Sequence, residues 1–173
     1  MKIYKYEVDG VLKNTATRDI FCNEIKVGQF QRVYSNVLKK IIDASLDYKY
    51  FVRIDAQVDG YPIASCKKVQ RKGKIYFNAM EEGKPFYRIA YVGWKELVPD
   101  LAISNKEQMM MLHMNREGWS TFTFENNEVA RWRADYNEES EQFSVELQIE
   151  GDCPFDNPAL LISISHAILF IGS

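Results

Sequence analysis

The stretch 156-DNPALLISISHAILFIGS-173 closes a chain that is otherwise polar and charged, and its reading decides the fold. Three structures compete for it: a membrane anchor, a strand buried on both faces, or a helix buried all round. Length weighs against the anchor. Ala159 to Ile171 is a run of 13 residues, whereas a helix needs about 20 to cross a hydrocarbon core, and His166 between Ser163 and Ser165 would sit mid-membrane. Helix is preferred to strand because Asp156 or Asn157 can cap the free N–H groups of a first turn. Pro158 suits the first helical position, where its missing donor costs nothing, and Gly172 supplies a stop. On a 3.6-residue period Leu160, Leu161, Ile162, Ile164, Ile168, Leu169, Phe170 and Ile171 leave no continuous polar face, the pattern of a helix surrounded by protein.

The rest of the chain supplies that surrounding. At 173 residues, 46% apolar and 13% aromatic, it fits one globular domain over 1–173 with a substantial core. Turn signals recur every 10 to 15 residues or so, among them Asp9-Gly10, Asp59-Gly60, Lys72-Gly73, Glu82-Gly83 and Gly151-Asp152. Between them the sequence alternates. In 48-YKYFVRIDAQV-58, Tyr48, Tyr50, Val52, Ile54, Ala56 and Val58 fall on one face and Lys49, Arg53, Asp55 and Gln57 on the other. Segments 2–8, 74–80, 86–92, 119–125, 129–136 and 142–150 alternate likewise, and 106-KEQMMMLHM-114 reads as a strand whose methionines fill the core. Seven or more antiparallel strands without repeated helical crossovers describe a sandwich or barrel. One stretch, 35-SNVLKKIIDASLD-47, has helical spacing instead, with Val37, Leu38, Ile41, Ile42 and Leu46 on its apolar face and Ser35 or Asn36 as cap.

Many strands followed by one wholly apolar helix resemble the tubby C-terminal-like superfamily, with its LURP-one-related proteins and phospholipid scramblases. The likeness rests on 28-GQFQRVYSNVLKKIID-43 leading into 50-YFVRIDA-56, on 74-KIYFNAM-80, and on 157-NPALLISISHAILFIG-172. It is nearest to small tubby-like proteins of Gram-positive bacteria and their phages. The resemblance implies a mainly β fold: a closed antiparallel barrel of about twelve strands around a buried C-terminal helix, plus one short amphipathic helix near 35–46. Closing a sheet removes its edges, and the closed interior must then be filled by something apolar.

Composition narrows the function. A net charge of −2 argues against nucleic acid as partner, because phosphate binding needs a basic excess. The charge is uneven: residues 1 to 75 hold 15 Lys and Arg against 8 Asp and Glu, and the remainder 7 against 16. A fold that segregates the halves carries opposed electrostatic faces; one that interleaves them averages the asymmetry out. Cys22, Cys66 and Cys153 are odd in number and widely spaced, which suggests neither a disulfide framework nor a metal site. No secretory leader is read at the N-terminus, so a cytoplasmic location is the default.

Candidate sites are few. The run 66-CKKVQRKGK-74 places Lys67, Lys68, Arg71, Lys72 and Lys74 about a hairpin turn. Eukaryotic tubby proteins bind phosphoinositides through basic side chains, so by analogy this turn is a candidate for anionic head groups; the alternative is a solvated turn whose lysines discourage edge pairing. Arg131, Trp132 and Arg133 are candidates for a protein-contact face, with Trp132 exposed; core packing is the alternative for Trp132, as for Trp94 and Trp119. His166 reads as a hydrogen-bonded core residue, His113 lacks a neighbouring nucleophile, and Cys153 beside Pro154 reads as packing. The pairs Glu81-Glu82 and Glu138-Glu139, with Glu141, read as solvated turns. No catalytic residue, metal ligand or cofactor is indicated. The expectation is a non-enzymatic binding protein with a protein partner; the alternatives are a peripheral membrane protein using the basic turn, and an enzyme without a recognisable motif.

Overall fold

Alternation closes the sheet. Along β1 (Lys2–Asp9), Tyr4, Tyr6 and Val8 are buried while Lys5 and Glu7 face outward, as successive side chains of a strand must. The computed structural model describes residues 1–10, 14–93, 100–115 and 117–169. The same pattern runs through β2 (Arg18–Cys22), β3 (Ile25–Arg32), β4 (Arg53–Val58), β5 (Ala64–Arg71), β6 (Lys74–Glu81), β7 (Tyr87–Val92), β8 (Asp100–Ser104), β9 (Met109–His113), β10 (Ser120–Phe124), β11 (Asn127–Asn137) and β12 (Gln142–Ile149). Each strand pairs antiparallel with its sequence neighbours, and β1 closes the ring on β12 in register from Lys2↔Ile149 to Asp9↔Gln142. Helix α1 (Val37–Ala44) lies between β3 and β4, and α2 (Pro158–Ile168) follows β12.

Helix α2 fills the barrel. Every residue from Pro158 to Ile168 is buried. Asn157 caps it by accepting from the Ala159 N–H at 2.9 Å, with Pro158 in the first turn; Phe170, Ile171 and Gly172 lie outside the described residues. The helix is not centred. It packs against β4, β5 and β6, where the inward residues Ala56, Ala64, Cys66 and Ala79 are small and adjacent in register. Large side chains, including Leu101, Met110, Leu112, Phe122 and Leu147, fill the opposite side. Volume is thus distributed so that a helix fits against one wall.

Two further features pin the barrel's ends. Glu81 is buried at the close of β6, where it accepts from Asn157 Nδ2 at 3.0 Å and pairs with Lys84 at 3.3 Å. The reading of Glu81 as a solvated turn residue is therefore corrected: it turns inward to hold the mouth of α2. Asn157 Nδ2 also donates to the Pro62 carbonyl at 2.9 Å, tying the helix to the β4–β5 loop. Gly28 on β3 is required by close approach, since a Cβ there would lie 2.2 Å from the Gln57 carbonyl oxygen.

Differences from expectation have local causes. The alternating segment 48–58 is strand only from Arg53, because the Tyr50 and Phe51 N–H groups are taken by the Asp43 carboxylate, each at 2.9 Å. In β9, Met110 is fully buried while Met109 is 59% exposed, so one methionine fills core and its neighbour does not. The up-and-down order also settles the charge question: β1 to β5, from the basic part of the chain, are contiguous in the ring. Opposed basic and acidic walls follow.

His166 sits near the C-terminal end of α2, 5% exposed and packed against Phe30 in a tilted arrangement with ring centroids 4.8 Å apart. It is a core residue as expected, but its Nδ1 has no hydrogen-bond partner among the described residues. Burial, helped by the Arg32 guanidinium, takes its pKa from 6.5 down to about 3. Below pH 6.5 the unfolded chain takes up a proton that the folded chain refuses. The stability held above that pH is lost as pH falls toward 3, by about 1.4 kcal/mol per pH unit. In urea titrations at pH 7.5 and 5.5, the wild type is expected to lose about 1.4 kcal/mol more than a His166→Met variant. Parallel losses would show that His166 titrates normally.

Candidate functional site

With the interior filled, the chemistry available to a partner lies on the outer wall and the rims. The most unusual rim element is α1. Asn36 caps it by accepting from the Lys39 N–H at 2.9 Å, and Asp47 and Tyr48 beyond it adopt left-handed φ values of 53° and 58° that end the turn. A helix with this spacing ordinarily turns its aliphatic stripe to the core. Here Val37, Leu38, Ile41, Ile42 and Leu46 are all exposed, Val37 by 73%, and the residue of α1 buried against the barrel is Asp43.

Asp43 explains the inversion. Its carboxylate is fully buried and pairs with the equally buried Arg32 at 2.6 Å. It also accepts from Tyr34 Oη at 2.6 Å and from the Tyr50 and Phe51 N–H groups. Arg32 in turn donates to the Tyr48 and Phe51 carbonyls at 2.8 and 3.0 Å. One charged pair thereby ties β3, α1 and the entry to β4, and holds the helix with its aliphatic face outward. Removing one member of such a pair leaves the other charge uncompensated.

The basic turn stands beside this helix. Arg53 on β4 is opposite Lys67 on β5, so the β5–β6 hairpin projects past the start of β4 on the α1 side. Lys72 and Gly73 form its tip, both with positive φ. Lys67, Arg71, Lys72 and Lys74 are exposed, and none has an acidic partner within ion-pair distance among the described residues. Lys68 differs. It is half-buried, its Nζ donates to the Lys49 carbonyl at 2.7 Å, and burial lowers its pKa. The structure therefore brings four of the five candidate residues to solvent and uses the fifth to strap the hairpin to the α1 loop.

The second candidate surface is rearranged. Trp132 is buried, 4% exposed, and faces the barrel interior, which corrects the expectation that it is exposed. Strand parity is the reason: Arg131 and Arg133 point outward, so Trp132 must point in. Trp119 takes the outer place instead, with the Arg131 and Arg133 guanidiniums 4.7 and 4.8 Å from its ring centroid. Trp94 lies outside the described residues. Nearby, a groove of about 1030 Å³ crosses β1 between β2 and β11. Half of its charged residues pair with one another, as in Arg133 with Asp135 at 3.4 Å and Lys5 with Glu146 at 4.0 Å.

The remaining candidates separate. His113 has a hydroxyl neighbour after all, a correction to its expected isolation: Nδ1 is 2.9 Å from Asp100 Oδ2 and Nε2 is 3.2 Å from Thr123 Oγ1. The row lies on the outer wall, and the groove over β1 does not reach it. Cys153 donates to the Phe155 carbonyl at 3.4 Å, and burial pushes its thiol up to about 11. It precedes α2, whereas His166 is more than two turns along, so about 12 Å of helix axis separates their ends. No set of His, Cys, Asp and Glu suited to a metal occurs among the described residues.

Comparison with known proteins agrees with this architecture. A family model, the Tubby C-terminal like domain, matches residues 4–171. The chain belongs to that family. No curated protein and no solved structure matches it. Among the described residues of this tubby-like barrel no helix is long and apolar enough to cross a membrane. Its outer wall carries Lys5, Glu7, Arg53, Arg131 and Arg133, the reverse of the apolar exterior of a membrane-spanning barrel.

The buried clamp yields a contrast. Asp43→Ala is expected to cost about 3–5 kcal/mol in denaturant titrations, since it strands Arg32 and two N–H groups. Leu38→Ser should cost no more than about 0.5 kcal/mol. The opposite ranking would mean that α1 packs its aliphatic face inward.

Proposed function

We propose that this tubby-like protein is a non-enzymatic binding protein that meets a protein partner on its outer surface. The observation that carries the reading is the filled interior: α2 occupies the space that small barrels otherwise offer a ligand, so recognition falls to the wall and rims. Members of the family are generally not enzymes, and the polarised wall offers charge complementarity to a partner, which governs specificity and encounter rate. We place the chain, within the same proposal, in the cytoplasm and among the small tubby-like proteins of Gram-positive bacteria and their phages.

A second reading is favoured by one specific observation. The four exposed cations of the β5–β6 turn lack acidic partners among the described residues, and such unpaired charge suits anionic head groups, each near-surface lysine contributing on the order of 1 kcal/mol. Binding of this kind is screened by salt.

Crosslinking of the intact protein in extract of its host tests the first reading. One partner is expected, crosslinked to outer-wall residues, whose retention weakens at least about tenfold when Arg131 and Arg133 are both changed to Gln. A partner indifferent to every outer-wall variant would contradict it, as would a catalytic turnover abolished by His113→Ala.

A further inference from the structure

We infer that the outward face of α1 is a bilayer-insertion surface, with Val37, Leu38, Ile41 and Ile42 entering the interfacial layer of a lipid membrane. This goes beyond head-group binding by the basic turn, because insertion is apolar and persists where salt removes electrostatic attraction.

Exposure is the first argument. Val37, Leu38 and Ile41 are 73%, 63% and 61% exposed, with Ile42 and Leu46 beside them. A contiguous aliphatic face of this kind marks an interaction site, whereas single exposed apolar residues do not. The exposure is also built in. Asp43, fully buried against Arg32, forces the opposite side of the helix outward, and the Tyr34, Tyr50 and Phe51 contacts fix the orientation.

Charge and shape decide the occupant. Lys39 and Lys40 flank the aliphatic crest, with Lys39 lying over the Phe51 ring at 5.5 Å from its centroid. The strapped β5–β6 hairpin adds Lys72 and Lys74, with Ile75 43% exposed at its base. An aliphatic face bordered by lysines is the composition of helices that lie in a membrane interface. Protein interfaces instead deplete lysine and concentrate aromatic residues and arginine. The β5–β6 hairpin stands beside this crest, strapped to the loop after α1 by the Lys68 to Lys49 hydrogen bond, so both can meet one surface. Of the acids on this side, Asp43 is neutralised by Arg32 and Asp47 is exposed just beyond α1, while Glu138, Glu139 and Glu141 sit on the β11–β12 hairpin, on the same rim of the barrel but half the ring away from β5–β6. The arc of the rim that carries α1 and the β5–β6 hairpin is thus the part that meets the bilayer.

Co-flotation of the full chain with unilamellar vesicles tests this. Vesicles of phosphatidylcholine alone and of phosphatidylcholine with phosphatidylserine are compared at low and high salt, for three proteins. These are the wild type, a crest variant (Val37→Ser, Leu38→Ser and Ile41→Ser together) and a turn variant (Lys67→Gln, Arg71→Gln, Lys72→Gln and Lys74→Gln together). Wild type is expected to float with anionic vesicles and to retain measurable flotation at high salt and on phosphatidylcholine. The crest variant should lose at least about tenfold in partition under every condition, with an unchanged denaturation midpoint, while the turn variant loses only the salt-sensitive part. Undiminished flotation of the crest variant overturns the inference and leaves the basic-turn reading standing; loss in the crest variant alone supports insertion and removes the basic-turn reading. Absence of wild-type flotation overturns both. A wild-type dimer in light scattering that the crest variant dissolves, or stoichiometric capture of one protein that it abolishes, without flotation, overturns the inference in favour of that occupant.

Discussion

The packing of α2 against the small residues of β4, β5 and β6 is the contact on which the rest of the molecule depends. A closed sheet of twelve strands encloses more space than its own inward side chains fill, and an empty apolar interior forfeits dispersion contacts across its whole lining. Ala56, Ala64, Cys66 and Ala79 make room on one wall, and the helix fills the room with Leu160, Leu161, Ile164 and Ile168. The polar groups at its ends are handled by Asn157, Glu81 and the Pro62 carbonyl. Because those partners come from β6 and the β4–β5 loop, helix and barrel mouth stabilise one another.

This arrangement moves function to the surface, and the strand order then shapes that surface. A meander in which neighbours in sequence are neighbours in space converts a lengthwise charge asymmetry into opposed walls. The basic arc bears α1 and the β5–β6 hairpin, which is joined to the loop after α1 by the Lys68 to Lys49 hydrogen bond; Glu138, Glu139 and Glu141 stand on the β11–β12 hairpin across the same rim. The most demanding piece of local chemistry is the buried Arg32–Asp43 pair. It fixes the pose of a helix whose aliphatic face is left in water, and a buried ion pair of this kind sets geometry more reliably than it adds stability.

Much of the fold was legible because its signals are periodic. Twofold alternation identified β1, β4, β6, β7, β10, β11 and β12, and Asn-Pro before an unbroken apolar run located both the start and the burial of α2. Strands β2 and β3 were missed because apolar character and burial do not coincide along them: β2 buries Ile20 beside the exposed Phe21, and β3 opens on the exposed Ile25. Less of the candidate site could be read. The helical spacing of Val37, Leu38, Ile41 and Ile42 predicts a helix correctly, but nothing local says that Asp43, on the other side, will find Arg32 eleven residues upstream. Trp132 and Glu81 were misplaced for related reasons: the first by its charged neighbours, the second because its partner Asn157 is 76 residues away. The Asp100–His113–Thr123 row joins three strands and is equally invisible along the chain. The basic turn was found because its charge is contiguous in sequence.

Native-state hydrogen exchange on the intact protein tests the central claim most directly. If α2 is the core of the barrel, the amides of Leu161 to Ile168 exchange only when the whole molecule unfolds. Their opening free energy then equals the global value from denaturation and falls with denaturant at the same slope as the amides of β4 to β6. Exchange of α2 through a smaller opening, with the strands still protected, would show that the barrel stands without its helix and would contradict the account.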